Sequence, residues 1–256
     1  MLMKRFFALI ISALVLLSAT DIAAQGRRIG NRIGHNDASD GLGITFGYVH
    51  SAYRVSDWAT DEVETSDGLD GFNVGLTKDI RLVKDMLSLQ TGLLYTYQND
   101  SRNQSEGTLR IIGDWNEHFL SIPVKLKYEV PVIKDLSVFA MFGPTFVAGL
   151  SSSVKYRARI SDGVNAALSY NYFSGKVRVN DEMPESMAEM LQSAFPETRY
   201  RRADVQLGGA IGVRFMEMFE AQIGYDWGLV NKFKGETLDD LKMRRQQLYI
   251  GIGIRF

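Results

Sequence analysis

Hydrophobic and polar residues alternate with a period of two along most of the chain after Gly41. Alternation of this kind predicts β-strands with one apolar face, whereas the apolar residues of an amphipathic helix recur every three to four positions. Eight segments alternate in this way, and we predict one strand in each. Their bounds are 42–53, 71–82, 87–97, 118–130, 136–150, 202–215, 220–229 and 244–256. The segment at 136–150 is apolar on both parities, which leaves its register the least constrained.

Three residues inside these segments depart from the pattern. Lys78 lies on the apolar parity of the second segment, where a β-bulge would restore the alternation. Pro123 and Pro144 lie inside predicted strands, which proline usually avoids because it has no backbone N–H to donate. Local bulges at the two prolines would reconcile them with the strands.

The connections between the predicted strands alternate between short and long. Short ones lie near 83–86, 131–135 and 216–219, and long ones near 54–70, 98–117, 151–201 and 230–243. Bacterial outer-membrane barrels alternate in the same way, with short periplasmic turns and longer extracellular loops. We therefore predict an all-β fold for residues 41–256: an eight-stranded antiparallel up-and-down transmembrane β-barrel. An even number of strands puts both ends of this barrel on the periplasmic side.

A soluble lipocalin-like calyx would also alternate apolar with polar residues, and glycine separates the two possibilities. Glycine recurs on the polar parity of the strands, for example at Gly75, Gly92, Gly208 and Gly251. On a solvated outer face such glycines would only weaken the strands. Inside a narrow barrel they make room for the long side chains that share the lumen, which favours the membrane barrel.

The first 24 residues have the three parts of a secretory signal peptide. Lys4 and Arg5 supply a positive start, an apolar run of twelve residues follows at 6–17, and small residues precede Gln25. A membrane-spanning helix needs about 20 apolar residues, so an uncleaved anchor is the less favoured alternative. We predict cleavage before Gln25, export to the outer membrane and a periplasmic N-terminal tail at 25–40.

Charge and composition exclude several classes of function. The 29 basic and 30 acidic residues almost cancel and no nucleic-acid-binding motif occurs, so we expect no nucleic-acid partner. Cysteine is absent, which excludes disulfides and thiolate metal sites. Two of the three histidines, His50 and His118, fall on the lipid-facing parity and cannot converge on a substrate in the lumen. We therefore expect neither enzymatic activity nor a cofactor or metal site.

The polar parity of the strands, which would face the lumen, carries charges of both signs. These residues are Asp79, Arg81, Lys125, Lys127, Glu129, Arg214, Asp226 and Arg255. They could line an ion path, or they could pair with one another and fill the lumen. Eight strands enclose only enough room for side chains, and buried charges need partners. The sequence therefore favours a plug of salt bridges over a narrow channel.

The extracellular ends of the last three predicted strands are strongly basic. The cations are Arg201, Arg202, Lys232, Lys234, Lys242, Arg244 and Arg245. They would converge at the height where the outer leaflet places its phosphates, and the guanidinium fork suits phosphate oxygens. We predict a lipopolysaccharide contact at this rim, or else an ordinary solvated edge. The first loop is acidic, with six carboxylates between residues 57 and 70 against Arg54 alone.

The long connection at 151–201 has a pattern of its own. Residues 154–160 and 167–172 alternate as strands do. Residues 184–195 have the spacing of a short helix, with Pro184 in its first turn and Pro196 as the stop after it. Structured loops of this length are usually functional. We predict that this one packs on itself and is a possible contact for a protein partner.

The segment from Leu248 to Phe256 resembles the terminal strand by which outer-membrane proteins are recognised for insertion, with an apolar residue at every second position and a final aromatic. This likeness implies that Phe256 is an insertion signal for the barrel-assembly machinery. Stretches at 87–95, 119–128, 139–144 and 222–229 also resemble the PorT-like outer-membrane β-barrel family of Bacteroidota. Ser121 departs from the family pattern, which often has an acid there.

The family resemblance implies a small monomeric barrel, and the family includes both uncharacterised barrels and a component linked to type IX secretion. We therefore predict a non-enzymatic integral outer-membrane barrel with a filled lumen and an extracellular face that contacts lipopolysaccharide or a partner. An accessory subunit of a secretion or assembly machine and a narrow channel are the alternatives.

Overall fold

The computed structural model describes residues 41–57, 63–65, 68–83, 86–106, 109–160, 165–179, 199–234 and 241–256. The predicted signal peptide (1–24), the predicted periplasmic tail (25–40) and the predicted helix at 184–195 lie outside the described residues. Within those residues, no helix is long and apolar enough to cross a membrane.

The described residues form thirteen β-strands. They are β1 (Leu42–Asp57), β2 (Val63–Thr65), β3 (Leu69–Val83), β4 (Leu87–Glu106), β5 (Leu109–Ile133), β6 (Leu136–Ile160), β7 (Asn165–Asn171), β8 (Lys176–Val179), β9 (Arg199–Tyr200), β10 (Ala203–Phe215), β11 (Phe219–Gly228), β12 (Phe233–Lys234) and β13 (Leu241–Arg255).

Eight of these strands close into a ring. β1, β3, β4, β5, β6, β10, β11 and β13 each pair antiparallel with the next, and β13 pairs with β1. A closed ring leaves no open edge within the barrel wall, which is the condition for a β-structure to span lipid. The predicted fold class, an eight-stranded antiparallel barrel, is therefore confirmed.

Side chains alternate between the lumen and the outer wall as the sequence predicts. Phe46 and Ile252 point outward and are 53% and 63% exposed, whereas Val49 is fully buried on the opposite parity. Exposing a long apolar side chain to water costs roughly 1.5–3 kcal/mol, and this wall carries many of them. The wall is therefore suited to lipid and not to water.

Two ends of the barrel differ in their connections. The ladders between β3 and β4, β5 and β6, and β10 and β11 end in short turns, and Gly41 and Phe256 lie at that same end, which we call the short-turn end. The other end, which we call the long-connection end, carries the longer segments. The predicted alternation of connections is thus present in the structure.

The largest difference from the prediction lies in the long connection at 98–117, which is largely strand. β4 runs to Glu106 and β5 begins at Leu109, so the two continue as a hairpin beyond the barrel. β6 likewise continues to Ile160, and β7 and β8 pair onto it in turn. We call this projecting part of β4 to β8 the extension sheet. The predicted strand character of 154–160 and 167–172 is confirmed.

The β-ladders have irregularities at positions other than those predicted. Lys78 pairs regularly with Leu42 and with Thr91, so the predicted bulge at Lys78 is wrong; the β3–β4 register shifts further on, between Arg81 and Val83. Another shift skips Leu150 in β6, because His118 pairs with Ser151 whereas Phe119 pairs with Gly149.

The two prolines are accommodated without bulges. Pro123 pairs with Thr145 of β6 on one side, but it has no partner in β4 on the other side. Pro144 pairs with Leu207 of β10, and the β5–β6 ladder omits its other pair. The register is unchanged across both gaps. Proline has no N–H to donate, so no ladder pair forms on that side of the residue. For Pro123 this is the side towards β4, and for Pro144 it is the side towards β5.

Candidate functional site

The lumen near the short-turn end is filled by six charged side chains, which we call the short-turn network. Its members are Asp79, Lys127, Glu129, Arg214, Glu220 and Arg255. They come from β3, β5, β10, β11 and β13, so the network joins strands from all around the ring. Three cations and three carboxylates make it neutral.

Two carboxylates at the centre of the short-turn network bind all three cations. Asp79 Oδ2 lies 2.9 Å from Arg255 Nη1, 3.1 Å from Arg214 Nη2 and 3.2 Å from Lys127 Nζ. The Glu220 carboxylate takes the same cations, with Oε1 2.6 Å from Lys127 Nζ, 2.6 Å from Arg214 Nη2 and 2.7 Å from Arg255 Nε. The last contact is close in distance but not aligned as a hydrogen bond.

Further side chains contact the short-turn network at its edges. Glu129 binds Arg214 at 2.8 Å, and the amide of Gln90 donates to Asp79 at 3.0 Å. Lys127 Nζ also lies 4.0 Å from the centre of the Phe139 ring. This geometry matches the salt-bridged plug that the sequence favours.

The middle of the lumen holds a second, smaller ion pair. Lys125 Nζ lies 2.6 Å from Asp226 Oδ1 and donates to the Tyr249 hydroxyl at 3.0 Å. Thr145 donates to the other oxygen of Asp226 at 3.5 Å. The cavity beside these groups offers about 40 Å³ to the centres of water molecules. That is room for a few waters but not for an organic ligand.

At the long-connection end a different cluster, the upper network, surrounds the carboxylate of Glu117. Lys232 donates to Glu117 Oε1 at 2.9 Å and Ser152 donates to the same oxygen at 2.7 Å. The Tyr53 hydroxyl donates to Glu117 Oε2 and accepts from Lys232. Lys232 Nζ also lies 3.8 Å from the centre of the Tyr53 ring and 4.8 Å from that of Tyr200.

Arg245 completes the upper network with neutral partners. Its guanidinium donates to Ser51 Oγ at 3.1 Å and to the side-chain oxygen of Gln98, and it lies 3.9 Å from the centre of the Phe119 ring. Gln98 in turn donates to Ser51 at 2.9 Å. The side chain of Arg245 is therefore bound on several sides although none of these partners is an acid.

On β1, β4 and β5 the apolar band ends at Tyr48, Tyr97 and His118, and Tyr53 and Glu117 lie beyond these residues. Beside β11 the band continues to Leu229, and Lys232 follows in the connection after it. Burial lowers the pKa of Lys232 to about 8, although the Glu117 carboxylate acts in the opposite direction. Burial also favours the neutral form of Glu117, but the charges of Lys232 and Arg245 outweigh it and lower the pKa of Glu117. Burial, reinforced by Glu117, holds the pKa of Tyr53 well above its ordinary value.

Aromatic side chains cover the upper network from the long-connection end. The rings of Tyr172 and Tyr200 stack with their centres 4.6 Å apart, and Phe233 packs edge-on against Tyr200. Trp115 packs against the buried clusters of Tyr53 and of Val154. The lumen is therefore closed at both ends, by ion pairs at one and by aromatic rings over hydrogen bonds at the other.

Two of the seven predicted rim cations do not lie at the rim. Lys232 and Arg245 are 8% and 4% exposed, because their charged groups turn into the lumen towards Glu117 and Gln98. They are removed from the predicted lipopolysaccharide contact. The remaining five cations, Arg201, Arg202, Lys234, Lys242 and Arg244, are exposed.

The two wall histidines face outward, as predicted. His50 Nδ1 lies 2.7 Å from Asp70, which also accepts from the Tyr48 hydroxyl. His118 Nδ1 lies 2.6 Å from the Tyr95 hydroxyl. Among the described residues, no group of three or more histidine, aspartate or glutamate side chains is arranged to hold a metal ion.

The sequence does not assign several of these residues to the lumen. Glu220 lies on the polar parity of its strand, so strict alternation could have identified it. Glu117 precedes the predicted start of its strand, and Lys232 lies in a connection between strands, where alternation carries no information. Arg245 has the right parity but sits in a basic run, which suggested the rim instead.

Comparison with known proteins identifies the architecture. The family described as outer membrane protein beta-barrel domain matches residues 9–256. No curated protein matches the chain. Ail, the attachment invasion locus protein of Yersinia pestis, is 14% identical with a TM-score of 0.37, over 85% of this chain and 99% of that one.

Two further solved structures are similarly distant. OprG from Pseudomonas aeruginosa is 11% identical with a TM-score of 0.40, over 85% of this chain and 96% of that one. The outer membrane enzyme PagL is 13% identical with a TM-score of 0.35, over 79% and 97%. Likenesses at this distance do not carry an activity from one protein to another.

Proposed function

We propose, since the chain belongs to the outer membrane protein beta-barrel domain family, that it is a closed, non-enzymatic outer-membrane barrel that holds a β-sheet above the membrane. In such barrels the short turns face the periplasm. The extension sheet then projects on the extracellular side, and the barrel serves as its anchor.

The observation that carries this proposal is the short-turn network. Its six side chains bind one another across the lumen, and their three positive and three negative charges cancel. Charges buried in this way are held by mutual pairing, and breaking one pair is costly. A narrow channel would need this network to open.

Planar-bilayer recording tests the closed lumen. We expect the purified full-length protein to show no steady conductance, in membranes where an open porin added as a control conducts. Insertion is verified on the same preparation by the shift in gel mobility between unheated and boiled samples. A stable, ion-selective conductance in folded protein would replace this proposal with the channel alternative.

The finer resemblance to PorT-like barrels of Bacteroidota, including a role in a type IX-like secretion or assembly machine, is a second possibility. It draws support from the extension sheet, which offers a surface for a partner at 151–160 and 165–179. Cross-linking in intact cells at Arg178, followed by identification of the captured species, tests it. Recovery of no protein neighbour would count against the machine subunit.

We also propose that the exposed rim cations bind the phosphates of lipopolysaccharide in the outer leaflet. Lys242 and Arg244 lie on the outward parity of β13, and Arg244 pairs in register with Arg54 of β1. Three cations thus share one stretch of outer wall just above the apolar band. Arginine can bind a phosphate through two parallel hydrogen bonds.

Replacing Arg201, Arg202, Lys242 and Arg244 with glutamine tests the rim contact. Arg245 is left intact because it is buried. The variant is expected to retain less co-purifying lipopolysaccharide, whereas a control with the charges kept (R201K, R202K, K242R and R244K) should retain nearly as much as the wild type. If the glutamine variant and the wild type retained equal amounts of lipopolysaccharide, the rim would be an ordinary solvated edge and not a lipopolysaccharide contact.

Phe256 is proposed as the insertion signal for the barrel-assembly machinery. It is 67% exposed on the outer wall, and its backbone N–H donates to the Leu42 carbonyl at 3.0 Å. Removing Phe256 should lower the amount of inserted barrel more than the amount synthesised. Replacing Ile254 on the same face with alanine is the control, and equal membrane levels for both would argue against a special role of the terminal aromatic.

A further inference from the structure

The outer surface of the extension sheet carries a group of cations that the rim does not include. We call Lys155, Arg157, Lys176 and Arg178 the cationic face. All four are exposed, whereas the side chains on the opposite face of the sheet are buried or half-buried: Val154 is fully buried, and Leu168 and Tyr170 of β7 are 6% and 2% exposed. The sheet therefore separates an aromatic inner side from a basic outer side.

The register of β6, β7 and β8 fixes the spacing of these cations. Lys155 pairs with Ser169, and Ser169 pairs with Arg178, so Lys155 and Arg178 lie in one row, two strands apart. Neighbouring strands lie about 4.8 Å apart, which separates the two by roughly 10 Å at the backbone. Lys176 stands two residues from Arg178 on the same strand, at about 7 Å.

The charge of the cationic face is largely unneutralised. Arg157 binds Asp114, which also accepts from Ser101 at 2.7 Å. Asp114 stays ionised because the Ser101 hydroxyl and Arg157 lower its pKa against the effect of its own burial. Within the part of the chain that the structure describes, Lys176 and Arg178 have no acidic partner. Among the described residues, these four cations and the one carboxylate of Asp114 have a net charge of +3.

The cationic face stands above the membrane and not within it. Ser151 pairs with His118 at the upper edge of the apolar band, and Lys155 and Arg157 follow four and six residues later on β6. A strand rises about 3.3 Å per residue and tilts by about 40° in such barrels, which places these cations roughly 10 to 15 Å above the band. Beside an outer-membrane barrel, that level holds the sugars nearest the lipid.

We propose that the cationic face binds the phosphate and carboxylate groups of the core saccharide of a neighbouring lipopolysaccharide. This rests on the proposed outer-membrane function and extends the lipid contact to a second surface and a second chemical group. The described outward positions of β6 to β8 hold serine, asparagine, lysine, arginine and alanine but no aromatic ring on which a sugar could stack. Recognition there depends on charge and hydrogen bonding, for which arginine and lysine suit anionic oxygens.

The test uses the full-length protein in detergent and two purified probes. One probe is lipid-free phosphorylated core oligosaccharide, and the other is lipid A, which has phosphates but no core. The face variant carries K155Q, R157Q, K176Q and R178Q, and its matched control carries K155R, R157K, K176R and R178K. Binding is measured by calorimetry at low ionic strength, after gel mobility has shown that each variant is folded.

The face variant should bind core oligosaccharide at least about tenfold more weakly than the wild type, since each cation near an anionic surface contributes about fivefold. The charge-preserving control should bind within about threefold of the wild type. Lipid A binding should be unchanged in the face variant and reduced in the rim variant, which separates failure of this inference from failure of the rim contact.

Two results would overturn the inference. One is undiminished core binding by the face variant. The other is self-association of the wild type in analytical ultracentrifugation that the face variant loses while core binding stays the same. The cationic face would then contact a second copy of the chain.

Discussion

The short-turn network and the upper network close the same lumen with different chemistry. The short-turn network consists of charges only, and its cations are mainly arginines bound by two central carboxylates. The upper network has one central carboxylate, Glu117, surrounded by a hydroxyl, a lysine and aromatic rings. Two of the three cations at the short-turn end are arginines, which cannot lose their charge, whereas the cation bound to Glu117 at the other end is a lysine that can.

The largest effect is expected from removing the central charge of the short-turn network. D79N leaves Lys127, Arg214 and Arg255 with a single shared carboxylate at the centre. Breaking one partner of a buried ion pair costs about 3–5 kcal/mol, and arginine cannot release its proton to relieve the cost. Urea titration of the refolded barrel in lipid vesicles should show this loss at every pH between 6 and 9.

D135N is the matched control for D79N, because Asp135 is an exposed carboxylate in the turn after β5. It should change the free energy of unfolding by less than about 0.5 kcal/mol. If the D79N barrel were as stable as the D135N barrel, the charge of Asp79 would not stabilise the short-turn network, and the proposed difference between the two networks would be wrong.

A smaller and pH-dependent effect is expected in the upper network. E117Q removes the carboxylate that holds the proton on Lys232, so the pKa of Lys232 should fall below its wild-type value of about 8. Between the two values the variant lysine is neutral while the wild-type lysine is charged. A lysine whose pKa is depressed in the fold destabilises the fold at low pH. That penalty starts to decline as pH rises through the folded pKa and is gone at the unfolded pKa.

The cost of E117Q should therefore be greatest near pH 6, at about 1–3 kcal/mol, and should decrease towards pH 8. NMR detection of the Lys232 side-chain nitrogen in both proteins gives the two pKa values directly. Equal values in wild type and E117Q would contradict the assigned role of Glu117, and a pH-independent cost would make the two networks alike.

The smallest effect is expected at Ser51, which accepts hydrogen bonds from Arg245 and Gln98. S51A removes that acceptor but leaves Arg245 its contacts with Gln98 and Phe119, so the loss should be about 1 kcal/mol. Urea titration of S51A beside S88A, which alters a buried serine at the other end, checks it. A loss at S51A as large as that at D79N would mean that neutral groups bind Arg245 as strongly as ions would.

The sequence predicts the short-turn end better than the long-connection end for a physical reason. Asp79, Lys127, Arg214 and Arg255 lie on regular strands, where parity alone decides whether a side chain enters the lumen. Lys232 lies in a connection, and its burial depends on how the chain folds back over the barrel. No local sequence pattern predicts how this connection folds back over the barrel. The sequence therefore suggests the rim for Lys232.

Strand ends could be predicted less well than strand cores. Inside the membrane band, lipid requires an apolar residue at every second position, which makes the pattern of β13 from Leu248 to Ile254 strong. Neither face of the extension sheet meets lipid, so its strands need no apolar residue at every second position. The sequence of the β4–β5 hairpin is therefore typical of a polar loop. The ladder itself, and not a hydrophobic requirement, continues these strands.

The skipped residue Leu150 in β6 sets a rule for how this chain can vary over evolution. Below it odd-numbered residues face inward, and beyond it even-numbered ones do. Deleting Leu150 itself would remove the bulge and leave Lys155 and Arg157 outward. Deleting Ser152 while the bulge remains would instead turn Lys155 and Arg157 towards the aromatic interior and bring Val154 and Tyr156 to the outside. Length changes beyond the bulge should therefore be inherited in pairs of residues, or as one residue together with the loss of the bulge. A family alignment would then show even-numbered gaps in this arm, or a gap of one residue at Leu150.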